Sequence, residues 1–351
     1  MIRLPRNAQL WLAGYLRERV RALRRPRARR VWVAIADHFE PYWRTRDPAL
    51  ARERVRCWRD RWPEVAARHR DSAGQPPRWT FFYPEEEYQP ELLEALAELA
   101  RAGIADVEVH IHHDREDERS FLARMQRFLD RLAGQHGLLR RRDGRIRFGF
   151  VHGNWALDNS LPGGLYCGLN NEITLLRDLG CYADFTMPSA PSTSQARMVN
   201  RIYWAVDDPL RPKSYDTGTP AEPGRGVQGD LLIMPGPLGL RWEARALPSL
   251  ENGEIGGHRP LSRRRVKAWL RLAPRLGDEA FLKLFTHGTQ ERHREPFFRG
   301  ELDRLFELLI EECQRKRVEL RFATAWQLYL AAERLILGRP ETVAETPRHV
   351  L

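Results

Sequence analysis

Val107-Glu108-Val109-His110-Ile111-His112-His113-Asp114 is the stretch on which the reading of the fold turns. Val107, Val109 and Ile111 are β-branched and alternate with Glu108, His110 and His112, which is the period-two pattern of a strand. Successive strand side chains point to opposite faces, so His110 and His112 share one face. If that face lines the inside of a barrel or the mouth of a sheet, two imidazoles converge on one point, and His113 and Asp114 begin the loop beyond. Imidazole is the commonest metal ligand, and an acidic partner in reach would complete a divalent site. A polar strand face with solvated histidines is the plainer alternative.

Outward from this run the same unit repeats. Short apolar stretches lie at Val31 to Ala36, Trp79 to Tyr83, Val107 to Ile111, Ile146 to Val151, Ala183 to Met187, Leu231 to Met234 and Phe281 to Phe285, with Glu319 to Ala323 as a further candidate. Helical periodicity marks Pro90 to Ala102, Glu118 to Ala133, Asn170 to Leu179, Glu301 to Arg315 and Trp326 to Leu335. Alternation of strand and helix predicts parallel βαβ units and an α/β fold. About seven parallel strands suggest a distorted or incomplete (β/α) barrel over residues 31–337, with a doubly wound open sheet as the alternative. The stretches end on Asp37-His38, Glu85-Glu86-Glu87, His112-His113-Asp114, His152-Gly153-Asn154, Pro188-Ser189, Pro235-Gly236 and His287-Gly288, so reactive side chains gather at one edge, where barrel active sites are built.

Before the first strand, residues 1–30 read as a basic amphipathic helix and linker: Leu10, Trp11, Tyr15, Leu16, Val20 and Leu23 recur at helical spacing among arginines. Such a helix docks on its own domain or lies on a membrane surface. Asp207 to Gly229 is dense in Pro, Gly, Asp and Thr and reads as a long loop over the site, and residues 338–351 read as a disordered tail. The chain has 351 residues, 42% hydrophobic and 30% charged, with no apolar run able to span a bilayer. A formal charge of +11 would attract polyanions, yet no nucleic-acid motif accompanies it and no nucleic-acid partner is expected. Cys57, Cys167, Cys181 and Cys313 lack Cys-x-x-Cys spacing, which argues against a cysteine-built zinc site or a disulfide framework. With no secretory signal pattern, a cytoplasmic, possibly membrane-peripheral, location is the expectation.

An aspartate directly after an apolar strand, as in Ala34-Ile35-Ala36-Asp37-His38-Phe39-Glu40-Pro41, could cap a helix. Facing His110 and His112, it would instead complete an Asp-His-His metal site with open positions. Together with Lys283-Leu284-Phe285-Thr286-His287-Gly288, these motifs resemble the polysaccharide deacetylase superfamily, the NodB-like metal-dependent carbohydrate esterases. That family has an Asp motif after its first strand, a two-histidine motif after a middle strand and a Leu-x-x-His-like motif near its end. The order matches from Val31 to Trp326. Asp37 is followed by His38 where the family has a second aspartate, and the histidine pair has strand rather than helical spacing, which leaves His113 as a ligand in place of either.

The resemblance implies a divalent metal, zinc by preference, held by Asp37 with two of His110, His112 and His113. It implies His287 as general acid, with an acylated sugar or glycan precursor as substrate; His38, Glu40 or Glu86 could be the base. His152 and Asn154 could bond sugar hydroxyls and Trp155 could stack on a pyranose, in an entrance shared with Trp43 and Tyr83; a turn on Gly153 is the alternative. Glu172 reads as a residue of a helix cap at Asn170 or Asn171. Ser189, Ser192 and Ser194 lack a nucleophile elbow. The rival enzyme readings are an amidohydrolase, or a glycosidase using Asp37 with Glu85, Glu86 or Glu87. A catalytically lapsed barrel that binds glycan or a partner is the non-enzymatic one.

Overall fold

Among the described residues, eight strands pair in parallel. They are β1 (Arg30–His38), β2 (Trp79–Pro84), β3 (Ala105–Ile111), β4 (Arg145–His152), β5 (Cys181–Asp184), β6 (Leu231–Ile233), β7 (Glu279–Thr286) and β8 (Glu319–Phe322). This architecture comes from a computed structural model that describes residues 4–242, 248–257 and 259–341. The strands run in the order β7-β1-β2-β3-β4-β5-β6, and β8 also joins β1. Since β7 lies along Arg30 to Asp37 on one edge of β1, β8 at Arg30 to Val33 and β2 at Ala36 to His38 share the other edge. Short antiparallel segments flank this sheet: Arg140–Arg142 on β4, Arg275–Leu276 on β7 and Tyr203–Ala205 on β6. The result is a mixed α/β fold around a large, mostly parallel sheet.

Side-chain alternation divides the sheet into two faces. Val31, Val33 and Ile35 of β1 and Val107, Val109 and Ile111 of β3 pack outward with the helices in the larger core. Ala34, Ala36, Phe82, Val151, Phe281 and Phe285 belong to a second core on the inner face. That inner core is covered by α8 (Ala325–Ile336) through Leu328, Tyr329 and Ala332. The α8 start is fixed by a capping box in which Thr324 and Gln327 each satisfy the other's backbone N–H.

On the outer side lie α2 (Pro48–Arg68), α3 (Pro90–Arg101), α4 (Glu118–Asp130), α5 (Glu172–Leu179), α6 (Arg263–Leu272) and α7 (Leu302–Lys316). In α3, Leu92, Leu93, Leu96, Ala97, Leu99 and Ala100 form the buried stripe that its spacing demands. Trp58 of α2 is fully buried against Trp62, Trp79 and Phe81, and its indole N–H donates to the Gly288 carbonyl at 2.8 Å. Thus the packing of α2 fixes the turn after β7. Removing this indole should cost about 3–5 kcal/mol.

The N-terminal helix α1 (Ala8–Arg24) docks on the domain through Trp11 and Tyr15, against Ala190, Val199, Leu238, Leu250 and Leu272. Leu16, Val20 and Leu23 of the same helix stay exposed. No helix among the described residues is long and apolar enough to cross a membrane. The 207–229 segment departs from the loop expected over the site. Thr219–Pro220 adds to the Tyr203–Ala205 segment, and the Gly224 and Gly226 N–H groups donate to Leu335 and Ile336 at the end of α8. The expected disordered tail is likewise tied down at its start, where Arg339 N–H donates to Arg334 and Glu341 pairs with Arg30 at 2.6 Å. Residues 342–351 lie outside the described residues.

Candidate metal centres at the carboxyl edge of the sheet

The alternation that sorts the strands continues past their ends. His110 and His112 stand on the inner face, and across the sheet His38 and Glu40 extend the Ala34-Ala36 row of β1 toward them. The Nε2 atoms of His110 and His112 lie 3.5 and 3.3 Å from Glu40 Oε1. His110 Nδ1 donates to the Val151 carbonyl at 2.8 Å, which leaves its Nε2 as an acceptor facing a carboxylate. On its other side, His112 is gripped by Glu86, through Nδ1 and through a 3.2 Å bond from its own N–H. This is the arrangement in which outer carboxylates and carbonyls orient metal-binding imidazoles.

Burial works against charge at this point, yet the two histidines hold the Glu40 carboxyl well below its usual range. Despite burial, Glu40 and Glu86 push His112 up to about 10. The site therefore demands positive charge between Nε2 and Oε1, either as a proton or as a cation. Glu40 Oε2, His110 Nε2, His38 Nε2 and His287 Nδ1 are buried without a hydrogen-bond partner among the described residues. These groups adjoin one another: the His38 ring is 5.3 Å from that of His110 and 4.9 Å from that of His287. Burial lowers both the His38 and His287 pKa values, so both imidazoles are neutral acceptors. Trp155 stands 6.0 Å from His38 and 6.1 Å from His287 as a partly buried wall, while Asn154 beside it is exposed.

Asp37 belongs to the other face. Its oxygens accept the Gly288 N–H at 2.6 Å and the Trp79 indole N–H at 2.9 Å, and burial raises its pKa to about 7. A Cβ at position 288 would stand 2.2 Å from the Asp37 carboxylate, so a glycine is required there. Asp37, expected as the metal carboxylate, is not in the set of groups that could share an ion with His110 and His112, where Glu40 stands instead; it ties β1 to the turn after β7. Glu85 is held by Arg124, and Glu87 accepts the Tyr42 N–H while burial raises its pKa to about 8. Tyr83, expected at the entrance, is fully buried and donates to the Glu87 carbonyl.

His113 and His152 point to the outer face, where His113 Nε2 and His152 Nε2 are 2.8 Å apart. Glu172 Oε1 lies 3.2 Å from the first and 3.4 Å from the second. Glu172 sits in the first turn of α5, but its carboxylate accepts the Asp158 N–H rather than a bond from its own helix, and His152, expected to contact sugar, is fully buried. Burial lowers His152 to about 4, and against its own burial Glu172 is held low by the two histidines. Cys167 completes the group. Two sets of side chains can therefore each hold a metal ion, Glu40 with His110 and His112, and His113 with His152, Cys167 and Glu172, the donor atoms of each set lying within 4.8 Å of one another. Gly153 separates them: a Cβ there would sit 2.3 Å from the His112 ring.

A surface cavity of about 510 Å³ lined by Arg19, Arg25, Arg271 and Arg275 is not part of either centre. In comparisons with known proteins, no family model and no curated protein matches the chain.

Proposed function

We propose that this protein is a divalent-metal hydrolase that removes an acyl group, acetyl in the first instance, from a sugar or glycan precursor, as a divergent relative of the polysaccharide deacetylases. The observation that carries the reading is the convergence of His110 Nε2, His112 Nε2 and Glu40 Oε1, each imidazole oriented from behind, beside two neutral histidines. A two-histidine, one-carboxylate set leaves positions open and suits zinc, which requires no redox partner for hydrolysis. Bound there, zinc supplies Lewis acidity toward the acyl carbonyl and a water acidified toward ~7.

The chain's own groups do the rest. Burial keeps His38 and His287 neutral, and each presents a nitrogen with no hydrogen-bond partner among the described residues to a transferred proton. One takes the water proton, and the imidazolium so formed returns it to the leaving amine or alcohol. Glu86 and the Val151 carbonyl hold each ligand in the tautomer that presents Nε2. Trp155 offers an apolar face for a pyranose ring. In the same reading the sheet wraps into an incomplete barrel around this inner face, and Lys283 of β7 spans the gap by donating to the Phe185 and Met187 carbonyls beyond β5, at 2.7 Å each.

The test is acetate release from N- and O-acetylated mono- and oligosaccharides by zinc-loaded protein. The reading expects metal-dependent release that is lost in Glu40→Gln and His110→Ala. Metal-loaded wild type that releases none across the panel would overturn it and favour a barrel that binds glycan without turning it over, which the engagement of Asp37 by Trp79 and Gly288 would then explain.

A further inference from the structure

We infer that His113, His152, Cys167 and Glu172 form a second, closed zinc site that fastens the loops after β3 and β4 to the start of α5. It is independent of the inner-face site and shares no ligand with it. Four chain segments meet here: His113 follows β3, His152 ends β4, Cys167 lies in the following loop and Glu172 begins α5. All four residues are buried.

The donor set favours zinc on three grounds. First, donors bound about 2.0–2.1 Å from a tetrahedral ion stand about 3.3 Å from one another, and the observed separations of His113, His152 and Glu172 donors are 2.8, 3.2 and 3.4 Å. Second, the charges balance. Two neutral imidazoles, a thiolate and a carboxylate carry two negative charges, which a divalent cation cancels, and a buried site strongly favours neutrality. Third, His152, Cys167 and Glu172 are each held from behind, whereas the buried Nδ1 of His113 has no hydrogen-bond partner among the described residues. His152 Nδ1 donates to the Gly153 carbonyl at 2.6 Å, so its Nε2 is bare. The Asn159 and Leu169 N–H groups donate to Cys167 Sγ at 3.3 and 3.5 Å, while the thiol donates to the Leu169 carbonyl and to Glu172 Oε2 at 3.6 and 3.5 Å, a proton that a metal would displace. Glu172 Oε2 accepts the Asp158 N–H at 2.6 Å, which leaves Oε1 directed at the imidazoles.

On binding, the Cys167 thiol proton leaves to solvent and His113 carries its proton on Nδ1. Four protein donors fill a tetrahedral shell, so no position remains for substrate; closed shells of this kind contribute to folding rather than chemistry. The loop is already fastened in the same place by backbone bonds from Tyr166 to the Asp114 carboxylate and from Glu116 to the Cys167 carbonyl. A zinc there would lock the wall against which the Gly153 turn and His112 pack.

Cobalt(II) reports both geometry and sulfur ligation, and it tests the inference on the whole chain. Wild type reconstituted with Co²⁺ should bind two equivalents and show tetrahedral visible bands with a near-ultraviolet thiolate-to-cobalt transition. Cys167→Ser should lose that transition, whereas Glu40→Gln should keep it and bind one equivalent. Removing the metal with a strong chelator should lower the melting temperature of wild type and of Glu40→Gln alike. Cobalt-loaded wild type without the thiolate transition would overturn the inference and leave a neutral hydrogen-bonded network in its place. Because this readout involves no hydrolysis, an inactive protein that shows the transition would count against the proposed activity and not against this site.

Discussion

The step from His112 to His113 separates two kinds of histidine site. On the inner side His110 and His112 meet Glu40 at the rim of the sheet, with His112 about one-third exposed and only three donors in place. On the outer side His113 meets His152, Cys167 and Glu172, four donors without exposure. One residue of chain reverses the face, and with it the character of the site. An open triad beside neutral histidines can accept a substrate oxygen; a filled, electrically balanced shell cannot. On the proposed reading, the contrast gives chemistry to the inner face and cohesion to the outer one.

Experiments that break the contrast can be ranked by expected effect. The largest follows from removing an inner ligand: His110→Ala should reduce hydrolysis to the uncatalysed background while the melting temperature of the metal-loaded protein, supported by the outer site, falls by much less than on removing His152. Next comes Asp37→Asn. Its amide must set a donor against the Gly288 N–H or the Trp79 indole, at a cost of about 1–3 kcal/mol in denaturant unfolding. Its inner-site metal content should stay at the wild-type level; loss of that metal would restore Asp37 as a ligand.

Glu86→Gln should weaken inner-site zinc about 10–100-fold, the usual effect of a partner behind a ligand, with the outer site unchanged by competitive chelation. A pH-dependent effect concerns Lys283, whose side-chain amine is buried on the inner face and whose pKa burial lowers to about 7. The unfolded chain holds this proton up to about 10.5. Between pH 7 and 10.5 the unfolded state therefore binds more protons, and this group's penalty, complete below pH 7, fades as pH rises. Relative to Lys283→Met, wild type should gain up to ~1.4 kcal/mol of stability per pH unit across that window; a flat difference would mean that the lysine titrates near its ordinary value.

The parallel strands were legible because their apolar runs are short, β-branched and separated by amphipathic helices. So was the pairing of His110 with His112, which rests on strand alternation alone. The same rule, carried along β1, puts His38 and Glu40 with Ala34 and Ala36 on the inner face and sends Asp37 outward with Ile35. Family resemblance drew attention to the aspartate, and the carboxylate two residues beyond its neighbour went unassigned as a ligand. His113 was legible as a reversal of face, but its partners were not. Cys167 and Glu172 lie in a loop and a helix start whose meeting with β3 and β4 depends on tertiary packing. Cysteine spacing cannot reveal a site that uses a single cysteine. The 207–229 segment shows a similar limit: its Pro and Gly content marks irregular backbone, and only the sheet edge and the end of α8 determine where that backbone goes.

The most direct test of the account is anomalous diffraction at the zinc edge from crystals of the zinc-loaded protein. The account predicts a peak bonded to Glu40, His110 Nε2 and His112 Nε2, at about 2.0–2.2 Å from each donor, with Asp37 still joined to Trp79 and Gly288. Zinc bonded to Asp37, or none between Glu40 and the two histidines, would contradict it.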